Sequence, residues 1–281
     1  MDRTSWKKVM PRILDYNGRD AQRTVTVASI KALKGTSTRY AQVTASTEAE
    51  AAAAEAAGVE MVVCLSQAVP EVRQGSSRLF VTAAIDFDGA VTVDELLGTA
   101  LGALSHGADA VITARRLRAV EVLAEEDIPV MGHLGFVPKK STLYGGVRAV
   151  GRTADEAIAL WERFRRLENA GAFAVECELI PGNVMAEIGR RTGMITISLG
   201  SGKDTNVIFL FTADICGEGR VPRHARAYAD LASLHAQIAQ ERIRALTAYR
   251  ADVASALFPG DAEIVMAPDH ELQKFVAGLE G

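Results

Sequence analysis

Residues 172–179 (AFAVECEL) form an apolar run that is typical of a buried β-strand. A helical pattern over residues 153–170 comes directly before it, with Thr153 as a good N-cap, Glu156 three residues later and apolar residues on one face. Residues 129–133 (PVMGH) form another apolar run ahead of that helix. A strand, a helix and a second apolar strand in this order predict a parallel βαβ unit.

The same alternation continues on both sides of this unit. The predicted strands are residues 40–45, 59–65, 79–85, 110–113, 129–133, 172–179, 195–199 and 207–211. The predicted helices among them are residues 48–57, 93–105, 116–125, 153–170 and 184–191. Strands that are apolar along their whole length are buried on both faces, as in a parallel sheet. Eight such units in about 180 residues favour a closed (β/α)₈ TIM barrel over an open, doubly wound sheet.

We expect a single barrel domain over residues 1–281, made of an N-terminal extension (1–35), the barrel strands (36–220) and C-terminal helices (221–281). The helical pattern over residues 225–256 is too long for the eighth barrel helix alone, so we expect part of it to reach another subunit. The connection between the second and third strands is only about a dozen residues long, which is short for a crossover with a full helix.

Composition excludes several classes of function. The chain has 281 residues, 48% hydrophobic and 23% charged, and a net charge of −4, so a globular fold is expected and a nucleic-acid partner is not. No apolar run approaches the ~20 residues of a membrane helix, and the first residues lack an apolar signal core, so we expect a cytoplasmic location. The three cysteines are widely spaced, which argues against disulfides and CxxC metal sites.

Active sites of such barrels lie at the carboxyl ends of the strands, so polar residues there are the candidates. They are Ser46, Ser66, Gln67, Asp86, Asp88, Arg115, His133, Glu176, Glu178, Ser198 and Asp214. Strand alternation puts Glu176 and Glu178 on the same side. If that side is the barrel interior, one carboxyl pKa would be raised, which favours proton transfer. A solvated strand end or an ion pair to an arginine is the alternative.

His133 lies between Gly132 and Gly135, and glycines at a strand end let backbone and ligand approach closely. The alternative is a structural histidine with satisfied hydrogen bonds. Residues 200–203 (GSGK) resemble a phosphate- or carboxylate-binding turn of exposed N–H groups, although their spacing excludes a P-loop.

Several motifs resemble those of the ketopantoate hydroxymethyltransferase family. They are residues 130–138 (VMGHLGFVP), 144–152 (YGGVRAVGR), 168–173 (ENAGAF), 178–181 (ELIP), 200–202 (GSG) and Asp214. Residues 39–45, Gly58 and residues 258–260 extend the resemblance to most of the chain.

The resemblance implies a barrel of the phosphoenolpyruvate/pyruvate superfamily that works by enolate chemistry. The family's enzyme deprotonates 2-oxoisovalerate beside the keto group, and the enolate attacks methylene-tetrahydrofolate to give ketopantoate for pantothenate synthesis. Magnesium binds the keto acid, and the family's base and strand-end histidine fall on Glu178 and His133. The family's large rings imply a homo-oligomer here, with a decamer as one candidate.

Polar residues of the family are missing at several positions of this chain. The family's metal-binding aspartates fall on Ser66 and Ala84, and a lysine that contacts the keto acid falls on Ile112. Serine and alanine cannot replace two aspartates, because a hard dication needs oxygen ligands that are preferably anionic. Asp86 is one acid that could reach inward. We therefore expect poor magnesium binding; magnesium and methylene-tetrahydrofolate are expected only if the parent activity is retained.

The first hypothesis is an enzyme acting on a small 2-oxo acid, with Glu178 and His133 as catalytic residues. Its expected substrate-binding residues are Ser66, Gln67, Asp86, Arg115 and Ser198. Arg115, the turn at 200–203 or a metal held differently would stabilise the enolate. The alternatives are a metal-independent lyase or aldolase of the same superfamily and a non-catalytic paralogue with a binding or assembly role.

Overall fold

A computed structural model describes residues 12–86 and 89–279. Eight parallel strands close into a barrel in which each strand pairs with the next and β1 pairs with β8. The strands are β1 (Tyr40–Thr44), β2 (Met61–Leu65), β3 (Phe80–Ala84), β4 (Ala110–Thr113), β5 (Val130–Gly135), β6 (Ala174–Glu178), β7 (Ile195–Leu199) and β8 (Val207–Leu210). The predicted fold class is confirmed.

Helices follow most of the strands. They are α1 (Val27–Lys31), α2 (Glu48–Ala56), α3 (Val69–Gly75), α4 (Val93–Ser105), α5 (Leu117–Glu125), α6 (Ala154–Asn169), α7 (Gly182–Gly189), α8 (Thr212–Cys216), α9 (Leu231–Ala254) and α10 (Asp269–Leu279). Three short 3₁₀ segments are Ser66–Ala68, Pro138–Tyr144 and Asp261–Glu263. None of the described helices is long and apolar enough to cross a membrane.

The buried apolar residues form two clusters on the two faces of the strands. Val175 and Cys177 of β6 belong to the cluster between barrel and helices, whereas Ala174 belongs to the cluster inside the barrel. On β5, Met131 is likewise interior and Val130 exterior. Because side chains alternate along a strand, the residues two and four positions after Ala174 also face the interior.

The short connection between β2 and β3 holds a helix after all. Residues 66–68 make one 3₁₀ turn, and α3 follows with Pro70 in its first turn, where a missing N–H costs nothing. A Cβ at Gly75 would lie 2.0 Å from the carbonyl oxygen of Glu48, so glycine lets α3 end directly against α2. The connection is abnormal in length, but it keeps the alternation of strand and helix.

A buried ion-pair network centres on Asp109, directly before β4. Asp109 accepts from Arg23 Nε at 2.7 Å and from Arg73 Nη2 at 2.5 Å, and all three side chains are less than one fifth exposed. The same carboxylate accepts from the backbone N–H of Val81 at 2.8 Å. Burial lowers the pKa of Arg73 to about 10, although Asp109 opposes the shift. The network ties the N-terminal segment to β3 and β4.

The chain divides into two compact units. The first comprises residues 1–216 and 220–228 and contains the barrel; the second comprises residues 217–219 and 229–281. In the second unit, α9 has a side-chain cap, because Asp230 accepts from the backbone N–H of Ser233 at 3.1 Å. None of the described residues of α9 or α10 is buried.

Candidate active site

His133 and Glu178 meet inside the barrel. In the register of β5 and β6, His133 pairs with Glu176, and Gly135 pairs with Glu178. His133 Nε2 lies 3.1 Å from Glu178 Oε2, and the two side chains are 13% and 12% exposed. The two residues that the sequence predicts as catalytic are therefore in hydrogen-bonding contact at the mouth of the barrel.

Glu176 lies one layer deeper in the barrel. One of its carboxylate oxygens is 4.0 Å from His133 Nε2, and the residue is 6% exposed. No described residue donates a hydrogen bond to this carboxylate, and among those residues neither Glu176 nor Glu178 forms an ion pair with a lysine or arginine. Two nearly buried carboxylates thus share a single imidazole.

The backbone around Glu178 leaves little freedom. Its carbonyl oxygen accepts from the N–H of Phe136 at 2.8 Å, and a Cβ at Gly135 (φ +90°) would lie 2.1 Å from that oxygen. Leu179 adopts φ +48°, a region that non-glycine residues occupy at a cost of order 1–3 kcal/mol. Gly132 has another role, since its missing Cβ makes room for Leu167 of α6. Strain and close contact together hold the backbone that carries the Glu178 side chain.

The charges of the site shift two of its pKa values upward. Burial opposes protonation of His133, but the hydrogen bond to Glu178 and the charges of Glu176, Glu178 and Asp86 outweigh it, so the pKa of the imidazole is raised. Burial raises the pKa of Glu176, against the opposing charge of His133. Protons are therefore held more tightly here than in water.

Asp86 follows β3 and forms an ion pair with Lys139. Its carboxylate accepts from the hydroxyl of Thr113, from the N–H of Ala114 at 2.7 Å, and from the ammonium of Lys139 at 2.7 Å. The Asp86 side chain is 5% exposed, whereas that of Lys139 is 40% exposed. The 3₁₀ segment after β5 therefore brings a positive charge, accessible to solvent, beside Asp86, and the charge of Asp86 in turn acts on His133.

The described residues at the ends of β2 and β3 do not fit magnesium. Ser66 is a buried neutral residue, and Ala84 has no ligand atom on its side chain. Asp86 already serves three donors, one of them a cation. Because Mg²⁺ demands octahedral oxygen coordination, usually with one or two carboxylates, these residues do not make a magnesium site.

Other predicted site residues have structural contacts. Arg115 donates from its guanidinium to the carbonyl oxygens of Ala90 and Val91, both at 2.7 Å, and so holds the loop before α4. Ser198 is buried and accepts from the N–H of Ser201 at 3.0 Å. These contacts fix loops and do not direct either residue at His133.

The turn at 200–203 is likewise tied down. Ser201 Oγ accepts from the N–H of Ile180 at 2.8 Å and donates to the carbonyl oxygen of Cys177 at 2.7 Å. These bonds connect the ends of β6 and β7. The turn supports the backbone that carries Glu178.

The remaining candidates are spread around the rim. Gln67 is exposed, and Ser46 is exposed with its N–H bonded to the Glu50 carboxylate at the start of α2. Asp214 lies in α8, and Asp88 lies outside the described residues. The residue that sequence reasoning missed is Lys139. Its signal was a lysine pair directly after Pro138, at the end of a strand already marked by His133.

A family model described as ketopantoate hydroxymethyltransferase matches residues 64–261 of the chain. Among similar curated proteins, 3-methyl-2-oxobutanoate hydroxymethyltransferase 2 of Bradyrhizobium diazoefficiens is 37% identical over 63% of this chain and 60% of its own length. The chain thus spans about three fifths of that relative. The 3-methyl-2-oxobutanoate hydroxymethyltransferase of Thermobifida fusca is 29% identical over 87% of this chain and 94% of its own length. The corresponding protein of Shewanella amazonensis is 31% identical over 67% of this chain and 71% of its own length.

Solved structures show likeness of fold. Phosphonopyruvate hydrolase, in complex with oxalate and magnesium, superimposes with a TM-score of 0.51 at 12% identity, over 91% of this chain and 98% of that chain. A 2,3-dimethylmalate lyase of the PEP mutase/isocitrate lyase superfamily superimposes with a TM-score of 0.50 at 14% identity, over 80% of this chain and 85% of that chain. At identities this low, both likenesses show similarity of fold alone.

Proposed function

The chain belongs to the ketopantoate hydroxymethyltransferase family, and from that premise we propose that it enolises a small 2-oxo acid and hydroxymethylates the resulting enolate. Methylene-tetrahydrofolate would supply the one-carbon unit and water the hydroxyl oxygen, and tetrahydrofolate would leave. 2-Oxoisovalerate is the proposed substrate. The contact of 3.1 Å between Glu178 and His133 carries the proposal. The family match favours this reaction over a lyase and over a non-catalytic role.

Glu178 is the proposed base. Its carboxylate takes the proton from the carbon beside the keto group, and negative charge then develops on the keto oxygen. His133 positions this carboxylate by a hydrogen bond from its ring N–H. Because the pKa of His133 is raised, the imidazole can also be protonated and balance the negative charge of Glu178. The left-handed conformation of Leu179 and the contact at Gly135 hold the backbone that carries the base.

Lys139 is the proposed source of positive charge for the enolate. The positions that would hold magnesium in the family lack carboxylates here, and the acid nearest to them in the chain binds an ammonium. A fixed cation at the site of developing charge stabilises a transition state without reorganisation. The reaction is therefore proposed to proceed without a metal at the ends of β2 and β3.

Deuterium exchange at C3 of 2-oxoisovalerate in D₂O, followed by NMR, tests the proposal. We expect exchange by EDTA-treated wild-type protein, at a rate that added magnesium leaves unchanged. Glu178→Gln should lower the rate by about 10²–10⁴-fold, the usual contribution of a general base. Glu162→Gln, on the exposed face of α6, is the matched control and should exchange like wild type.

Two outcomes contradict the proposal. Absence of exchange under all conditions excludes enolisation of this substrate. Exchange that requires magnesium would show that the chain binds the metal with residues other than those expected. Formation of ketopantoate when methylene-tetrahydrofolate is added then separates hydroxymethyl transfer from enolisation alone.

A further inference from the structure

The group that the proposed reaction leaves unused is Glu176. Its side chain is 8% exposed and faces the barrel interior, and its carboxylate receives no hydrogen bond from any described residue. A buried carboxylate is expensive unless it is paired, hydrogen-bonded or bound to a metal. A cation bound beside Glu176 would keep this carboxylate ionised, against the burial that raises its pKa.

The geometry around Glu176 supplies a set of three ligand atoms. His133 Nε2 lies 3.1 Å from Glu178 Oε2 and 4.0 Å from Glu176 Oε1, and one ligand atom from each residue lies within 4.8 Å of the others. Ligands at 2.0–2.2 Å around a tetrahedral ion are separated by roughly 3.4 Å. The observed distances from His133 Nε2 to the two carboxylates, 3.1 and 4.0 Å, lie on either side of that spacing.

We propose that His133, Glu176 and Glu178 bind a divalent first-row transition ion such as Zn²⁺. An imidazole nitrogen with two carboxylates suits such an ion, and three protein ligands leave a fourth position open toward the barrel mouth. The site lies on β5 and β6, apart from the ends of β2 and β3 where the family resemblance places magnesium. The nitrogen ligand disfavours Mg²⁺, which prefers oxygen.

A bound ion would compete with proton transfer. Glu178 cannot act as a base while it coordinates the ion, so Zn²⁺ should inhibit enolisation and EDTA should restore it. This consequence rests on the proposed function. Binding of the ion does not, because it needs only the three side chains.

Titration of metal-stripped, full-length protein with Co²⁺ tests the site directly. We expect visible d–d absorption that saturates at one ion per chain and is displaced by Zn²⁺. Glu176→Gln should weaken the affinity by at least about tenfold, a loss that removing even an outer-shell partner can cause. Glu162→Gln should bind like wild type. Glu178→Gln is the second ligand variant, and circular dichroism checks that each variant is folded.

Absence of Co²⁺ absorption in wild-type protein, or equal affinity in wild type and both ligand variants, overturns the proposal. Failure of the proposed function gives a different result. In that case metal-free protein does not catalyse deuterium exchange, while titration with Co²⁺ still detects the metal site. Exchange that is insensitive to a saturating amount of Zn²⁺ would refute the competition between the two roles of Glu178.

Discussion

Lys139 provides the positive charge that the proposed enolate needs. Its ammonium is held by Asp86, which keeps two other donors when the lysine is removed. Lys139→Met should therefore preserve the fold and lower the rate of deuterium exchange by about tenfold or more, since loss of one stabilising donor commonly costs 10²–10³-fold. NMR exchange rates measure the effect. Lys140→Met is the matched control, and equal losses in both variants would remove Lys139 from the mechanism.

Two features require glycine at position 135: its positive φ and the close approach of the Glu178 carbonyl oxygen. Gly135→Ala should lower the free energy of unfolding by at least about 2 kcal/mol, because the new Cβ would overlap the Glu178 carbonyl oxygen at positive φ. Gly145→Ala has positive φ with nothing within 4 Å, so it isolates backbone strain. Urea unfolding compares the two variants; equal losses would show that the close contact contributes nothing.

At the scale of the element, α6 is anchored through Glu156 in its first turn. The Glu156 carboxylate accepts from Arg148 and from the backbone N–H groups of Gly151 and Arg152 at 3.1 Å. The hydrogen bond from Arg148 is the largest cause that lowers the pKa of Glu156 to about 2. This carboxylate therefore joins the loop after β5 to the helix that packs behind His133.

The lowered pKa predicts how this anchor depends on pH. The carboxylate stabilises the fold at pH values above its ordinary pKa of about 4.3, and the contribution is lost as pH falls toward 2. Wild-type protein should be more stable than Glu156→Gln at neutral pH, with a difference that shrinks in acid. Urea unfolding at about pH 7 and pH 3 measures it. A difference that is the same at both pH values would contradict the assignment.

Most helices and strands could be predicted from the sequence because their pattern of burial is regular. The apolar runs around β5, β6 and β7 are buried on both faces, so they mark strands to within about two residues. Thr153 caps α6 as predicted, accepting from the N–H of Glu156 at 3.2 Å. The short helices α3 and α8 carry too few turns for a clear periodic pattern, and tertiary contacts decide them.

Some residues of the candidate site could be predicted from the sequence, and others depend on tertiary contacts. Strand parity and register bring His133, Glu176 and Glu178 together, so alternation along β6 was enough to predict that the two glutamates share a face. The position of Lys139 depends on the path of a 3₁₀ segment, and the role of Arg115 depends on carbonyl groups of another loop. Such loop contacts have no periodic signal in the sequence.

At the scale of the whole molecule, the second compact unit exposes a large amount of apolar surface. On α9, five large side chains are more than half exposed; they are Leu234, Ile238, Ile243, Leu246 and Tyr249. Extended apolar patches usually mark an interface. We propose that this surface joins copies of the chain into a homo-oligomer.

The oligomer is tested by light scattering coupled to size-exclusion chromatography. Wild-type protein should elute as a multiple of the monomer mass, and the double variant Ile243→Glu, Leu246→Glu should shift to smaller species while keeping its helical circular dichroism. Arg242→Glu is the control, since it changes charge on the same helix without removing apolar surface. A monomeric wild type, or a double variant of unchanged mass, would contradict the proposal.

The order of pairing around the barrel has a consequence for synthesis on the ribosome. The seam of the ring joins Tyr40 of β1 to Val207 of β8, so it cannot form until almost the whole first unit has emerged. The adjacent parallel strands β5 and β6, which carry His133 and Glu178, are available much sooner. Because pairing between distant segments is slow, nascent chains should spend time as an open, curved sheet with unpaired edges. Newly made protein is then most exposed to aggregation just before the last strand arrives.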